Sequence, residues 1–167
     1  MMQVTNKFIK SMKVKLLFTG KTEEGYIRQG IEIFKKRLGH YLPFEIIEIP
    51  KIRNIKKITA EQQIKKEGEL IMKNIKEGEE VFLLDKEGKQ YSSEELAGFL
   101  HKKTLEGIKT LVFVTGGAYG FSADIYKKYN KKISLSKMTF THEMVRLIFV
   151  EQLYRAMTII RGESYHH

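Results

Sequence analysis

The chain has 167 residues, is 42% hydrophobic and carries a formal net charge of +10 at pH 7. This length allows one domain with a hydrophobic core and is short for two. The absence of cysteine excludes disulfides, thiolate metal sites and cysteine nucleophiles. No apolar run reaches the roughly eighteen residues of a membrane span, and residues 1–11 lack the apolar segment of a secretory signal. We therefore expect a cytoplasmic protein without a membrane partner.

The charge balance, with 30 Lys and Arg against 20 Asp and Glu, indicates a polyanionic partner. Nucleic acid is the leading class, and a lysine-rich solvated surface is the equally weighted alternative. Between positions 122 and 161, eight cationic residues face three acidic ones. We expect this excess to lie beside a site for a phosphate-rich substrate. The eight are Lys127, Lys128, Lys131, Lys132, Lys137, Arg146, Arg155 and Arg161.

The hydrophobic pattern predicts alternating strands and helices in a single domain over residues 12–167, preceded by an N-terminal extension over residues 1–11. Apolar runs predict strands over 13–19, 44–49, 80–84, 110–115 and 133–136. Helical spacing predicts helices over 23–38, 59–77, 92–104, a short one from 122, and 142–161. We expect a basic connector over 50–58 and a turn over 85–88. This alternation predicts an α/β fold with a mostly parallel sheet flanked by helices.

A glycine cluster, Gly116, Gly117 and Gly120, directly follows the strand-like run TLVFVT. Ligands of α/β proteins bind at the carboxyl ends of strands, and glycine lets a ligand approach the backbone closely. The GGxxG spacing differs from the GxGxxG dinucleotide fingerprint and no GK[ST] follows, which disfavours NAD and ATP. Glycines that serve only to turn the chain are the alternative.

A second loop, residues 135–140, runs from the last strand toward the last helix. Its small hydroxyl and apolar side chains suit an adenosine, with Leu135 and Met138 against the ring. From spacing alone, a helix entry capped by Thr139 or Thr141 is the stronger interpretation.

The predicted last helix has no wide polar face, because its polar residues are scattered among apolar ones. Such a helix must be covered on more than one side, so we expect a homodimer. Glu151 and Arg155 have the spacing of an ordinary helix-surface pair. The histidines lack HxxxH or HExxH spacing, so we expect no metal site.

Several runs, taken in this order, resemble the ribosomal RNA large subunit methyltransferase H family. They are Leu83-Leu84-Asp85, Gly88-Lys89, Ser92-Ser93, Gly116-Gly117, Gly120, KMTFTH at 137–142, Arg146, EQLYRA at 151–156 and Tyr165-His166. The EQLYRA run and the terminal Tyr-His pair are the specific ones. The likeness extends from Met12 to the end of the chain. It implies a SPOUT methyltransferase fold, an α/β domain with a C-terminal trefoil knot, although knots are otherwise rare.

The resemblance also implies a function. Members of this family are homodimers that bind S-adenosylmethionine in the knot. They methylate ring nitrogen N3 of a pseudouridine in 23S ribosomal RNA, with the assembled ribosome as substrate. The family's cofactor contacts correspond here to Leu84, Gly116, Leu135, Ser136, Lys137, Met138, Thr139 and Phe140. The sequence departs from the family at Thr141, where many relatives have proline, and in residues 1–11.

Three other functions fit parts of this pattern. A different SPOUT enzyme that acts on transfer RNA would share the cofactor loops. A non-catalytic ribosome-binding protein would use the charge and leave the loops empty. A generic nucleotide-binding α/β protein is disfavoured by the missing phosphate motifs.

Methylation at an imide nitrogen requires a group that takes the N3 proton, and histidine is the usual side chain with a pKa near neutrality. We interpret His166, with Tyr165 beside it, as the catalytic pair, and His142 as the second candidate. A helix cap or an interface contact is the equally weighted alternative for these residues.

Two arginines of the last helix, Arg146 and Arg155, are candidates for holding phosphate or ordering the active site, because guanidinium groups recognise oxyanions. Arg146 is counted among the catalytic candidates. The alternative is an interface ion pair with Glu143 or Glu151.

Overall fold

A computed structural model describes residues 11–53 and 55–166, except for the side chains of Ile55 and His166. The expected N-terminal extension therefore lies, apart from Ser11, outside the described residues.

The described residues form five strands and five α-helices in alternation. The strands are β1 (Lys13–Thr19), β2 (Phe44–Ile49), β3 (Glu80–Gln90), β4 (Thr110–Thr115) and β5 (Lys132–Ser134). The helices are α1 (Gly25–Leu38), α2 (Ala60–Lys73), α3 (Ser93–Leu105), α4 (Ala123–Lys128) and α5 (His142–Arg161). Short 3-10 helices cover Ile55–Lys57 and Ser164–His166.

The strands form one sheet in the order β2-β1-β4-β3-β5, and every neighbouring pair is parallel. All five strands therefore end at the same edge, which we call the carboxyl edge; the opposite edge is the amino edge. The α/β prediction is confirmed, since parallel neighbours require the helical crossovers that the pattern indicated.

Helices cover both faces of the sheet and divide the core in two. One cluster joins α1, α3 and α5 to one face, with Phe113 and Phe149 in ring contact at 4.7 Å. The other joins α2 and α4 to the opposite face through Ile71 and Ile125. Strands covered on both sides read as continuous apolar runs, which is why β1 and β4 stood out in the sequence.

The helix starts follow the capping residues that the sequence offered. Ser92 and Glu95 form the expected capping box of α3, and Thr141, rather than Thr139, caps α5 by accepting a hydrogen bond from the Met144 N–H at 3.2 Å. Each such cap satisfies a backbone donor that has no partner within the helix.

The expected turn over residues 85–88 is wrong, because β3 continues through it to Gln90. Leu84 and Lys89 both pair with Ile133, so the residues between them form a bulge in an otherwise extended strand. Two predicted ends also differ: α2 stops at Lys73 rather than at 77, and β5 stops at Ser134 rather than at 136.

Within the described residues, none of the helices is both long and apolar enough to cross a membrane.

Candidate functional site

The bulge of β3 and the loop that follows β5 line a cavity of about 160 Å³ at the carboxyl edge, which we call the carboxyl-edge cleft. Six of the eight residues expected to contact a cofactor line it. They are Leu84, Leu135, Ser136, Met138, Thr139 and Phe140, joined by Asp85, Lys86, Ser134 and Val145. The bulge of β3 and the loop after β5, which are about fifty residues apart in sequence, thus meet where the fold class places ligands.

Hydrogen bonds within the 135–140 loop fix its shape. The buried Ser134 hydroxyl donates to the Ser136 carbonyl at 3.0 Å, and the Ser136 hydroxyl accepts from the Met138 N–H at 2.9 Å. Met138 is 75% exposed, so a ligand in the cleft would bury apolar surface that is now in water. Lys137 is exposed and does not line the cavity.

Gly116 lies one strand away from the cleft wall. It follows Thr115, which pairs with Leu84, and it opens a tight turn in which the Gly120 N–H donates to the Gly117 carbonyl at 3.1 Å. A Cβ at Gly116 would come within 3.2 Å of the Gly120 Cα. The backbone of this turn is therefore closely packed, with no side chain between Gly116 and the edge.

Thr115 and Asp85 were not singled out as site residues from the sequence. The Thr115 hydroxyl is buried and has no hydrogen-bond partner among the described residues. Asp85 accepts hydrogen bonds from the Glu87 N–H at 2.8 Å and from the Tyr126 hydroxyl at 2.5 Å. Burial and the Asp85 carboxylate raise the pKa of Tyr126, so that its hydroxyl stays a donor. The sequence signals for them were the run Leu83-Leu84-Asp85, which resembles the family, and the position of Thr115 at the end of a predicted strand.

The cleft has the chemistry of a nucleoside site. Leu84, Leu135 and Met138 offer apolar surface for a ring, while Ser136 and Thr139 offer hydroxyls. A neighbouring cavity of about 170 Å³ shares Ser134 and Leu135 with it, which extends the cleft toward α3 and α5. An apolar lining with a few placed polar groups is typical of cofactor sites. The residues present fit S-adenosylmethionine.

The C-terminal turn packs against the second half of α5. Arg155 binds Glu151, with Nη2 to Oε1 at 2.8 Å, and its guanidinium lies 4.9 Å from the centre of the Tyr165 ring. The Tyr165 hydroxyl donates to the same Glu151 oxygen at 3.3 Å. Burial raises the pKa of Tyr165, and the Glu151 carboxylate raises it further. Tyr165 therefore remains a protonated donor at neutral pH.

His166 belongs to the 3-10 helix Ser164–His166, but its side chain lies outside the description. The prediction that it is the base therefore stays a prediction. The turn that carries it is anchored independently: Gly162 ends α5 in the left-handed region with φ 67°, and Tyr41 donates a hydrogen bond to Glu163.

Arg146 does not project into solvent, as a phosphate-binding side chain would. It is 1% exposed, and it donates to the Thr22 hydroxyl and to the Thr19 carbonyl, each at 3.0 Å. Its guanidinium lies 3.9 Å from the centre of the Phe18 ring. This burial disagrees with phosphate binding by Arg146, whose contacts order the loop between β1 and α1. Its role in ordering the active site stays a prediction.

Glu143, on the same turn of α5, binds the same loop. Its two carboxylate oxygens accept hydrogen bonds from the Glu23 and Glu24 N–H groups, both at 3.0 Å. Desolvation raises the pKa of Glu143, but these bonds and the nearby Arg146 outweigh it, so that the pKa lies below its ordinary value. The carboxylate thus supplies the cap that the Glu24 side chain does not give α1.

We expect the Glu143→Gln variant to lose about 1–3 kcal/mol of the free energy of unfolding at neutral pH, because charge-assisted bonds become weaker ones. A carboxyl whose pKa is lowered by folding stabilises the protein above its unfolded pKa, near 4.5. That contribution is lost as the pH falls through the lower folded pKa.

Urea unfolding of the wild type and of Glu143→Gln, at pH 7 and in acid, measures the contribution of the Glu143 carboxylate to the free energy of unfolding. The gap between wild type and variant is expected to close in acid. Glu32→Gln is the control, because the Glu32 side chain is 64% exposed and its ion pair with Lys35 is long, at 3.7 Å. An equal loss in both variants would contradict the role of Glu143.

The structure divides the catalytic candidates into two groups. Exposed His142 and buried Arg146 belong to the first turns of α5, whereas Tyr165 contacts Glu151 and Arg155. At 1.5 Å per residue, Glu151 lies about 13 Å along the helix from His142. Within one chain, His142 and Tyr165 are therefore not brought together at one reacting atom.

The expectation that the cations of residues 122–161 lie beside the cleft is wrong for most of them. Lys131 binds Glu80 at the start of β3 at 2.5 Å, and Lys128 ends α4; both lie at the amino edge. Arg146 is buried and Arg155 is paired. Of the eight, exposed Lys137 is in the loop that forms the cleft. The side chains of the described residues form no group of three or more His, Asp or Glu that would hold a metal ion.

Comparison with known proteins agrees with this architecture. A family model described as "Predicted SPOUT methyltransferase" matches residues 12–166. Two curated proteins named ribosomal RNA large subunit methyltransferase H are close relatives. That of Parabacteroides distasonis is 52% identical over 156 residues, which cover 93% of this chain and 99% of the relative. That of Christiangramia forsetii is 49% identical over the same share of each chain.

A solved structure supports the fold alone. The crystal structure of a probable methyltransferase from Bordetella pertussis Tohama I superposes with a TM-score of 0.55 and covers 93% of this chain and 99% of its own. The two chains share 9% sequence identity.

Proposed function

The chain belongs to the SPOUT methyltransferase family, and on that premise we propose that it transfers the methyl group of S-adenosylmethionine to 23S ribosomal RNA. The acceptor is ring nitrogen N3 of a pseudouridine in the assembled ribosome, in the cytoplasm. The names of the relatives support ribosomal RNA as the substrate. The observation that carries the proposal is the convergence of the β3 bulge and the loop after β5, which are distant in sequence, on one cleft lined by apolar and hydroxyl side chains.

The carboxyl-edge cleft would hold the cofactor. Leu84, Leu135 and Met138 would contact its adenine ring, and the Ser136 and Thr139 hydroxyls and the Gly116 backbone would bind its polar groups. When bound, S-adenosylmethionine supplies an activated methyl group on its sulfonium sulfur. We place the family's trefoil knot at the loops that follow β3, β4 and β5.

The chain's own residues would remove the N3 proton and align the acceptor nitrogen with the methyl group. His166 would take the N3 proton, which frees the nitrogen lone pair to form the new N–C bond as the methyl–sulfur bond breaks and the demethylated cofactor leaves as a neutral thioether. Tyr165, held as a donor by Glu151 and Arg155, positions the His166 imidazole against the pseudouridine. Holding the acceptor at near-attack distance supplies much of the remaining rate.

We also propose that the active species is a homodimer that pairs through α5. Met144 and Ile148 lie one turn apart on this helix, are half-buried, and belong to neither core cluster. A second copy would cover them and place a second tail near the cleft. Light scattering at micromolar concentration is expected to give the dimer mass, and a monomer would contradict the pairing.

The experiment that tests the proposed function is transfer of tritiated methyl from S-adenosylmethionine to three acceptors. These are ribosomes from a strain lacking the gene, protein-free 23S RNA, and bulk transfer RNA. We expect label in the 23S RNA of the ribosomes. Label in transfer RNA alone would show that transfer RNA, rather than 23S ribosomal RNA, is the substrate. No thermal stabilisation by S-adenosylmethionine would favour a non-catalytic ribosome-binding protein.

A further inference from the structure

We propose that the exposed cations of the connector between β2 and α2 form a phosphate-binding surface that holds the RNA backbone while a neighbouring nucleotide meets the cofactor held in the carboxyl-edge cleft. The inference rests on the proposed function, because it assigns a surface to the RNA substrate.

The connector is strongly and uniformly basic. It contains Lys51, Arg53, Lys56 and Lys57 and no acidic residue. All four side chains are exposed. Lys51 is paired with Glu23, with Nζ 2.6 Å from Oε1, whereas the other three form no ion pair with the described residues. Unpaired cations concentrated on one short segment are suited to a polyanion, since they release its counterions on binding.

Both ends of the connector are fixed to the fold. Ile49 is buried at the end of β2, and Lys51 crosses Gly20 so closely that a Cβ there would lie 2.7 Å from the lysine side chain. At the other end, Thr59 and Gln62 form a complete capping box that starts α2. The cations are therefore presented from a short anchored segment, which lowers the entropy lost on binding.

The connector lies at the same edge as the cleft. Gly20 at the end of β1 donates its N–H to the Ile49 carbonyl at 2.7 Å, which places the two strand ends side by side. The α2 helix then returns over the glycine turn, where a Cβ at Gly117 would lie 2.5 Å from Glu67 Oε2. With strands about 4.8 Å apart, β2 is roughly 15 Å from β3. Nucleotides flanking the one that meets the cofactor at the cleft span such a distance.

The residue types define what is recognised. The connector contains no aromatic side chain on which a base could stack. Contacts of lysine and arginine with phosphate oxygens carry no direct base readout. The connector would therefore contribute affinity and register, whereas the choice of nucleotide belongs to the residues that position it against the cofactor.

The test is the triple variant Arg53→Gln, Lys56→Gln, Lys57→Gln of the full chain. Its binding to protein-free 23S RNA and to ribosomes from a strain lacking the gene is measured between about 50 and 200 mM salt. We expect affinity for both to fall by roughly tenfold or more, and the slope of log K against log salt to become shallower by about two, as loss of three phosphate contacts implies. Affinity for S-adenosylmethionine is expected to be unchanged.

The matched control removes three exposed cations from the amino edge: Lys102→Gln, Lys109→Gln, Lys128→Gln. We expect it to bind both acceptors as the wild type does. An equal loss of RNA affinity in the two triple variants would mean that only net charge matters, which would overturn the assignment. Unchanged RNA affinity in the connector variant would overturn it as well. Loss of binding to ribosomes but not to protein-free RNA would assign the connector to a ribosomal protein and also overturn it.

Binding is scored separately from methyl transfer. If the wild type binds RNA through the connector but transfers no methyl group, the proposed function is contradicted and the assignment of the connector as a phosphate-binding surface is supported. If the wild type transfers methyl to ribosomes and the connector variant binds normally, the surface alone fails.

Discussion

We expect the His166→Ala variant to lose about tenfold or more of the turnover number for methyl transfer, while its affinity for S-adenosylmethionine is unchanged. The N3 lone pair of pseudouridine is conjugated with two carbonyl groups, so the nitrogen is a poor nucleophile until its proton is removed. A histidine base has a pKa near 6.5 in water, which leaves it largely unprotonated at neutral pH. Other residues, among them Leu84, Leu135 and Met138, line the cofactor cleft, so the affinity for S-adenosylmethionine is expected to be the same in the variant.

The pH dependence separates a base from a merely structural residue. In the wild type, kcat/KM is expected to rise with pH through the pKa of the base and then level off. In His166→Ala that rise is expected to disappear. His40→Ala is the control, because His40 is an exposed histidine at the amino edge. Near-normal turnover of His166→Ala would remove this residue from the mechanism and make His142 the next candidate.

The second large effect is expected at Gly88, in the bulge of β3. A Cβ at this position would lie 2.6 Å from both the backbone nitrogen and the carbonyl carbon of Ile133. Because those atoms are backbone, the clash is relieved only by moving β5 away from β3. We expect Gly88→Ala to lose about 1–3 kcal/mol of the free energy of unfolding, as overpacking typically costs. The displaced β5 leads into the 135–140 loop, so affinity for S-adenosylmethionine is expected to fall as well.

Gly98→Ala is the matched control for this change. Gly98 lies inside α3, and a Cβ there would have no neighbour within 4 Å. Alanine at a helix interior is favoured over glycine by up to about 1 kcal/mol, so this variant is expected to be as stable as the wild type or more so. Urea unfolding and calorimetric titration with S-adenosylmethionine measure both properties. Equal behaviour of the two variants would contradict the close packing at Gly88.

The sequence was sufficient where local chemistry decides the structure. Apolar runs flanked by polar residues located β1 and β4, and side-chain caps at Ser92 and Thr141 located the starts of α3 and α5. These features depend on residues within a few positions of one another. The likeness to the SPOUT family located six of the residues that line the cleft.

The sequence was insufficient where distant residues decide. Residues 85–88 have the composition of a turn, but they belong to β3 as a bulge, because Leu84 and Lys89 on either side of them both pair with Ile133 of β5. The burial of Arg146 depends on Thr19 and Thr22, more than 120 positions away. Spacing along one helix carries no information about such partners, so phosphate binding, ordering of the active site and an interface ion pair all stayed open for Arg146.

The charge pattern was misplaced for a similar reason. A helix between two parallel strands carries its last residues to the amino edge, so the lysines at the end of α4 lie away from the cleft. The connector follows the carboxyl end of β2 and so stays at the cleft's edge. Topology, rather than the local excess of charge, determines which cations can meet the substrate.

The most direct measurement of the central claim is a nucleoside analysis by mass spectrometry. Ribosomes from a strain lacking the gene would be incubated with the protein and S-adenosylmethionine, and their 23S RNA digested and compared with an untreated sample. We predict that N3-methylpseudouridine appears only in the treated sample and only with the cofactor present. Methylation of a different nucleoside, or none in 23S RNA, would contradict the account.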